Sequence, residues 1–442
     1  MRSLYNILYA IFFCLSAPYH FLKMWRRGHW RRGFHERFGR YDAKFKQALT
    51  NRHVLWMHAV SVGEVNVCTQ LIRALEPRVP NLKIVVSTTT STGMGELRRK
   101  LPSHIDKIYY PVDYRKCVHR ALSVIHPEAV VLVEAEIWPN FIWRLGDKRI
   151  PLFLVNARLS DRSYRGYRRF GFLFRSLFAS FTGVGAQSAA DAARFRELGC
   201  RPEAIQVVGS LKFDAARLDE RRVLDVPAML RQLGVPAGAR LIVAGSTHAG
   251  EEAILAEQFL RLRRRFSDLF LVLVPRHFER GKEVGEELRA RGLKFVYRSE
   301  VAVSTRFQPG EVECLLVNTT GELRLFYEHA TVIFVGRSLT AQGGQNPIEP
   351  AALGKAIVFG PRMQNFAAIA EAFLKKDGAV QVRDASGLEE VLAELLADEK
   401  RRETLAQNAL KVVRENRGAV ERTAEMIVKH LEGGGGCVAP RA

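Results

Sequence analysis

HVLWMHAVSVGE, residues 53–64, and LIVAGSTHAGEE, residues 241–252, set the reading of the whole chain. Each is a strand-length apolar run that ends in small and hydroxyl residues and then a glutamate. An apolar run of that length without polar alternation suits a strand buried on both faces, as in a parallel sheet. Working outward, further short β-branched runs fall at Lys83–Thr89, Lys107–Pro111, Ala129–Glu134, Ile150–Asn156 and Ile205–Val208, beside the first run at His53–Val60. Helical patterns such as Thr92–Lys100 and Ala189–Leu198 lie between them. After residue 240 the rhythm restarts with Leu241–Gly245, Leu269–Pro275, Lys294–Tyr297, Glu313–Val317, Val332–Val335 and Ala356–Phe359, and a last helix is expected near Ala419–Leu431. Alternating strand and helix predicts an α/β class with two Rossmann-like, doubly wound domains. Ligands are then expected in a cleft outside the carboxyl ends of the strands. Residues 215–239 carry two prolines, many charges and no strand pattern, which predicts a linker, and the glycine-rich tail 433–442 reads as disordered. The expected division is therefore 1–22, 23–214, a linker at 215–239, 240–432 and a tail.

The composition agrees with globular domains: 442 residues, 47% hydrophobic and 26% charged. A net charge of +21 calls for an anionic partner, whether nucleic acid, acidic lipid or a phosphorylated substrate. Six cysteines are scattered without a C-x-x-C pair, which argues against a disulfide framework or a cysteine zinc site. The histidines have no metal-ligand spacing, so no metal is expected.

From Leu4 to Leu22 there is no charged side chain, a length close to the roughly 20 residues that span a bilayer, although Asn6, Ser16, Pro18 and His20 interrupt it. A cleaved signal peptide is the rival reading. Lys23, Arg26, Arg27, Arg31, Arg32, Arg37 and Arg40 follow, interleaved with Trp25, Trp30 and Phe34. That flank suits the cytoplasmic side and anionic headgroups, so a retained N-terminal membrane anchor is expected. A second basic cluster, Arg158, Arg162, Arg165, Arg168, Arg169 and Arg175, is broken by Tyr164, Tyr167, Phe170, Phe172 and Phe174. Such a run is ordinarily a solvated face; its alternatives are a lipid-phosphate surface or a single-strand nucleic-acid groove.

Chemistry gathers at the strand ends. Ser61-x-x-Glu64 has the form of a capping box, with a general base as the functional alternative. Two carboxylates, Glu134 and Glu136, follow the fourth strand, where one could cap a helix or stabilise developing charge. Lys212 and Asp214 close the first half; Lys212 is either solvated or aimed at a leaving phosphate. In the second half, 244–252 resembles a generic anion site at a helix start, and Arg276 offers a guanidinium for phosphate. Thr319-x-x-Glu322 is another capping-box pattern, and Gly343, Gly344, Asn346 and Pro347 turn into a helix carrying Glu349. Neither G-x-G-x-x-G in the first half nor a P-loop is present, which disfavours an NAD-linked enzyme.

Taken in order, HAVSVGEV, EAEIWPN, GSLKFD, AGSTHAGEE, PRHFER, TGEL, NPIEPA and GPRMQNF resemble the bacterial 3-deoxy-D-manno-octulosonic acid (Kdo) transferases of lipopolysaccharide synthesis. The resemblance implies a GT-B fold, with an acceptor-binding first domain and a CMP-sugar-binding second domain. It implies transfer of Kdo from CMP-Kdo to a phosphorylated lipid A precursor, lipid IVA, with inversion and without a cofactor or donor-site metal. The site implied is the cytoplasmic face of the inner membrane, beside anionic lipid and with no nucleic-acid partner. Residue by residue, it makes Glu64 the proton acceptor and Glu134 and Lys212 the transition-state stabilisers. Pro275, Arg276, Thr320, Gly321, Glu322, Asn346, Pro347, Ile348 and Glu349 would hold CMP. The chain departs from the family pattern at Ala135, Phe278, Asn318 and Arg337, all beside those positions. Another lipid-directed GT-B glycosyltransferase with a different nucleotide sugar, or a non-catalytic basic membrane- or nucleic-acid-binding protein, are the alternatives.

Overall fold

The structure is a computed structural model and describes residues 2–26, 33–79, 81–216 and 224–433. The chain divides into two compact units, residues 1–215 with 417–442, and residues 216–416.

The first unit is built on a seven-stranded sheet: β1 (His53–His58), β2 (Leu82–Thr88), β3 (Asp106–Tyr109), β4 (Ala129–Val133), β5 (Leu152–Ala157), β6 (Gly183–Ala186) and β7 (Ile205–Val207). Its order is β3-β2-β1-β4-β5-β6-β7, and every pairing is parallel. The strand order reverses between β1 and β4, so their carboxyl ends form the topological switch point where α/β sheets bind ligands. The unbroken apolar character of β1 has a direct cause. Val54 and Trp56 enter one core, with Phe141, Phe178 and Phe181, while Leu55 and Met57 enter another on the opposite face. Both faces are covered, so neither set of alternate side chains needs to be polar.

The second unit repeats the plan with β8 (Leu241–Thr247), β9 (Phe270–Pro275), β10 (Phe295–Tyr297), β11 (Cys314–Leu316), β12 (Val332–Val335), β13 (Ala356–Phe359) and β14 (Val380–Gln381). These order as β10-β11-β9-β8-β12-β13-β14, again all parallel. Residues 224–239 of the expected linker contain a helix, Val226–Gln232, started by Asp225, whose carboxylate accepts from the Ala228 N–H. Residues 217–223 and the tail from 434 lie outside the described residues.

Two features of the first unit differ from the sequence reading. The last helix, Ala419–Gly433, expected with the second half, covers the first sheet instead: Val420, Ala424 and Ile427 join the core formed by Leu55, Met57 and Val131. Asp214 fixes its start by accepting from the Gly418 and Val420 N–H groups, both at 2.8 Å. Strand β6 reads GVGA, and its glycines hid it. A Cβ on Gly183 would meet Phe153 at 2.8 Å and Met426 at 3.3 Å, so glycine is what lets the last helix seat on the strand.

The N-terminal segment is a helix, Arg2–Arg26, containing Pro18. The membrane anchor expected here, which could span the bilayer or dip into one leaflet, is not seen as a span: no helix among the described residues is long and apolar enough to cross a membrane. Its first two turns are instead committed to protein. Arg2 makes a bidentate pair with Asp147 at 2.9 and 3.0 Å, the Tyr5 hydroxyl donates to Asp113 at 2.8 Å, and Asn140 donates to Asn6 at 2.9 Å. Leu8, Phe12, Leu15 and Tyr19 on this helix are exposed. Of the basic stretch that follows, Arg27, Trp30, Arg31 and Arg32 lie outside the described residues.

Candidate active site

At the switch point of the first sheet, β1 runs out through Ala59 and Val60 to Ser61, which caps the helix Val62–Leu75 by accepting from the Glu64 N–H at 3.2 Å. The Glu64 carboxylate turns back and accepts from the Val60 N–H at 2.8 Å. The capping role is therefore real, though its partner is one residue earlier than a standard box supplies. Glu64 is also buried, at 7% exposure, and burial is the main cause that holds its carboxyl above the usual carboxylate range, with the Glu134 charge adding to it. A buried carboxylate is a better proton acceptor than a solvated one.

Glu134 leaves β4 in the left-handed region, at φ 61°, so the chain bends sharply where the strand ends. That conformation costs a non-glycine residue about 1 kcal/mol or more and is found where a side chain must be aimed. Its carboxylate pairs with Lys212 at 3.0 Å and lies 3.4 Å from the Asn156 amide nitrogen. Asn156, itself at φ 51°, also accepts from the Leu211 N–H at 3.1 Å and so ties the end of β5 to the segment that carries Lys212. The structure thus brings Glu64, Glu134 and Lys212 to one edge of one sheet.

Sequence reasoning treated Glu136 only as a companion of Glu134, and it did not single out His58. Glu136 accepts from the Trp138 indole at 3.0 Å and lies 3.9 Å from Nε2 of His58. Burial, then the Glu64 charge, pushes the Glu136 carboxyl up to about 7. His58 is fully buried, and burial pushes its imidazole down to about 3, so it is neutral at physiological pH. The i, i+2 spacing of Glu134 and Glu136 was the available signal; the partner on β1 was not visible without the fold.

In the second unit the carried-over residues sit at strand carboxyl ends. Pro275 ends β9, and Arg276 beyond it is exposed, with its N–H donating to the Thr247 carbonyl at 3.0 Å. Thr320, Gly321 and Glu322 follow β11. Glu322 is not the third residue of a capping box: it is the residue before the helix Leu323–Tyr327, pairs with Arg298 at 3.2 Å and accepts from the Thr319 hydroxyl at 2.6 Å. Asn346, Pro347, Ile348 and Glu349 follow β12; the side-chain Oδ1 of Asn346 accepts from the Ile348 N–H at 3.1 Å, and Glu349 is exposed. The generic anion site expected at 244–252 is filled by the protein itself. Glu251, with no exposure, accepts from the N–H groups of His248, Arg337, Ser338 and Leu339 at 2.7 to 2.9 Å. Among the described residues no three His, Cys, Asp or Glu side chains are grouped to hold a metal ion.

Two parallel-sheet α/β units of this kind resemble the GT-B glycosyltransferases. Among solved structures, the UDP-GlcNAc 2-epimerase from Neisseria meningitidis bound to UDP-GlcNAc shares the fold at a TM-score of 0.58 and 14% identity, over 85% of this chain and all of that one. The family model described as 3-deoxy-D-manno-octulosonic-acid transferase (kdotransferase) matches residues 32–215. The 3-deoxy-D-manno-octulosonic acid transferase of Haemophilus influenzae is 31% identical over 86% of this chain and 87% of its own length. That of Bordetella pertussis is 32% identical over 93% and 96%. The chain belongs to the 3-deoxy-D-manno-octulosonic acid transferase family.

Proposed function

We propose that the protein transfers Kdo from CMP-Kdo to a phosphorylated lipid A precursor, lipid IVA, with inversion, and that Glu64 is the base. The observation that carries this reading is the placement of a buried, proton-attracting Glu64 beside the Glu134–Lys212 pair at the switch point. Glu64 takes the proton of the acceptor hydroxyl as its oxygen bonds to the anomeric carbon of Kdo. The bond from that carbon to the phosphate oxygen breaks, and CMP leaves with the electron pair. Lys212 is suited to the negative charge that gathers on the departing phosphate, and Glu134 to the positive charge that develops on the sugar. The second unit holds CMP through Pro275 and Arg276, through Thr320, Gly321 and Glu322, and through Asn346, Pro347, Ile348 and Glu349. A chain of net charge +21 suits these anionic substrates.

The same reading puts the protein on the cytoplasmic face of the inner membrane. The helix Arg2–Arg26 would lie in the interface rather than across it: its docked end faces the protein, and its exposed Leu8, Phe12 and Leu15 suit the acyl boundary. Phe170 and Phe172, exposed beside the arginine-rich helix Asp161–Arg169, offer a second contact for anionic headgroups.

The test is CMP release from CMP-Kdo with and without lipid IVA. Acceptor-dependent release supports the reading. Release only from a UDP- or ADP-sugar would replace it with another lipid-directed glycosyltransferase.

A further inference from the structure

His58 and Glu136 present a problem in hydrogen-bond accounting. Nδ1 of His58 lies 3.1 Å from the Ser87 carbonyl oxygen and 2.9 Å from its hydroxyl. The carbonyl can only accept. The hydroxyl accepts from the Trp56 indole at 2.8 Å and donates to the Met57 carbonyl at 3.2 Å, so it too is left to accept from the imidazole. Nδ1 therefore carries the ring proton and Nε2 is a bare acceptor. Nε2 is buried and has no hydrogen-bond partner among the described residues; facing it at 3.9 Å is a carboxylate oxygen of Glu136. Nε2 is enclosed, while the Glu136 side chain keeps 24% exposure; an ionised carboxylate oxygen facing that bare acceptor is repelled by it, and a protonated one is not.

The surroundings say which group holds that proton. Glu136 faces Glu64 and Glu134, whose charges both oppose its ionisation, and of these only Glu134 is paired, to Lys212. The Trp138 indole donates to it, and the phenols of Tyr110 and Tyr167 lie within its electrostatic reach without adding a cation. The imidazole is the poorer proton carrier because it is wholly enclosed, with the Tyr110 ring tilted against it at 4.0 Å between centroids.

We propose that Glu136 is a positioning acid: on the acid side of neutrality it keeps its proton, turned toward the bare Nε2 of His58, and so limits the negative charge around Glu64 so that Glu64 can be ionised as the base. This rests on the reading of Glu64 as that base. It assigns the two carboxylates of EAEIWPN different duties, Glu134 paired to Lys212 and Glu136 turned toward His58. Pairs of like groups whose environments drive their proton affinities apart are how one site supplies both an acid and a base. Loss of the Glu136 proton, as pH rises through about 7, adds a charge beside Glu64 and next to where anionic substrates must sit.

The experiment pairs infrared pH-difference spectra with kcat/KM profiles for the wild type, Glu136→Gln, Glu136→Ala and Glu64→Gln. The wild type is expected to show a protonated-carboxyl C=O band that bleaches with a midpoint near 7. The band is absent in Glu136→Gln and persists in Glu64→Gln with its midpoint moved down, because a charge that raised it is gone. Glu136→Gln, which keeps a neutral donor facing Nε2, slows transfer about threefold and flattens the alkaline limb, whereas Glu136→Ala slows it about thirtyfold. A Gln variant as inactive as Glu64→Gln, or one that keeps the band and the limb, overturns the proposal. An active Glu64→Gln would sink the base reading and the tuning role with it, while the band would still identify Glu136 as a protonated acid.

Discussion

Glu64 and Glu251 occupy the same place in their two units. Each lies in the first turn of the helix that follows the first strand of its sheet, β1 or β8, after a run of small and hydroxyl residues. Their surroundings differ completely. Glu251 accepts from four backbone N–H groups and has no exposure, so both oxygens are consumed in tying the exit of β12 to the exit of β8. Glu64 accepts from the Val60 N–H with Ser61 beside it, and has the Glu134 and Glu136 carboxylates as neighbours. A carboxylate saturated with amide donors does structural work; one enclosed among like charges is primed to take a proton. The difference lies in the partners, not in the residue or its position.

The largest effect expected from this contrast is on transfer. Glu64→Gln keeps the shape of the side chain and the Ser61 cap, so it should cost about 10²–10⁴-fold in rate and little in stability. Glu251→Ala should do the reverse. It leaves four buried N–H groups unpaired, a loss of about 3 kcal/mol or more that thermal unfolding would read as a much lower Tm. Folded, fully active Glu251→Ala protein would break the comparison.

His58 sharpens it through pH. Its imidazole is pushed from an ordinary 6.5 to about 3 by burial, so the unfolded chain binds a proton that the folded one refuses. Stability should therefore fall as pH drops from 6.5 toward 3. His58→Gln should shallow that slope in a pH series of urea midpoints, and an unchanged slope would show that His58 is not the group responsible. For Glu136 the sign is opposite. A carboxyl raised to about 7 costs folding stability as pH rises from 4.5 through 7, so Glu136→Gln should be more resistant to denaturant than the wild type above pH 7.

The smallest effect concerns the N-terminal helix. Asp113 accepts from Tyr5 and from the Asn140 and Phe141 N–H groups, so it joins that helix to the start of the helix Pro139–Asp147, directly after Glu136 and Trp138. Tyr5→Phe should cost about 1–2 kcal/mol, measured as a shift in urea midpoint. No shift would mean that the docking of the first turns rests on Arg2, the Asn140–Asn6 hydrogen bond and the Tyr5–Trp143 ring contact.

How much of this the sequence carries depends on whether a signal is local. The runs 53–60 and 241–245 are strands because parallel sheets bury both faces, and that leaves an unbroken apolar signature. Strand β6 left none, since Gly183 and Gly185 serve the close seating of the last helix rather than strand propensity. The destination of that helix is equally non-local: it depends on Asp214, more than 200 residues earlier in the chain. Glu64, Glu134 and Lys212 were legible because each follows a recognisable strand. The facing of Glu136 and His58 was not, because it depends on β1 and β4 pairing in the sheet. Glu251 misled for the same reason as Glu322: a capping or anion-site pattern specifies a polar group at a helix start and says nothing of how many donors will meet it.

The most direct test of the account is Glu64→Gln and Glu251→Gln measured side by side, for acceptor-dependent CMP release and for thermal unfolding. The account predicts a folded, inactive Glu64→Gln protein with a Tm near that of the wild type, and a Glu251→Gln protein that melts well below it. Undiminished release from Glu64→Gln, or a Tm loss in that variant matching the Glu251→Gln loss, would contradict it and leave Glu64 as a helix cap.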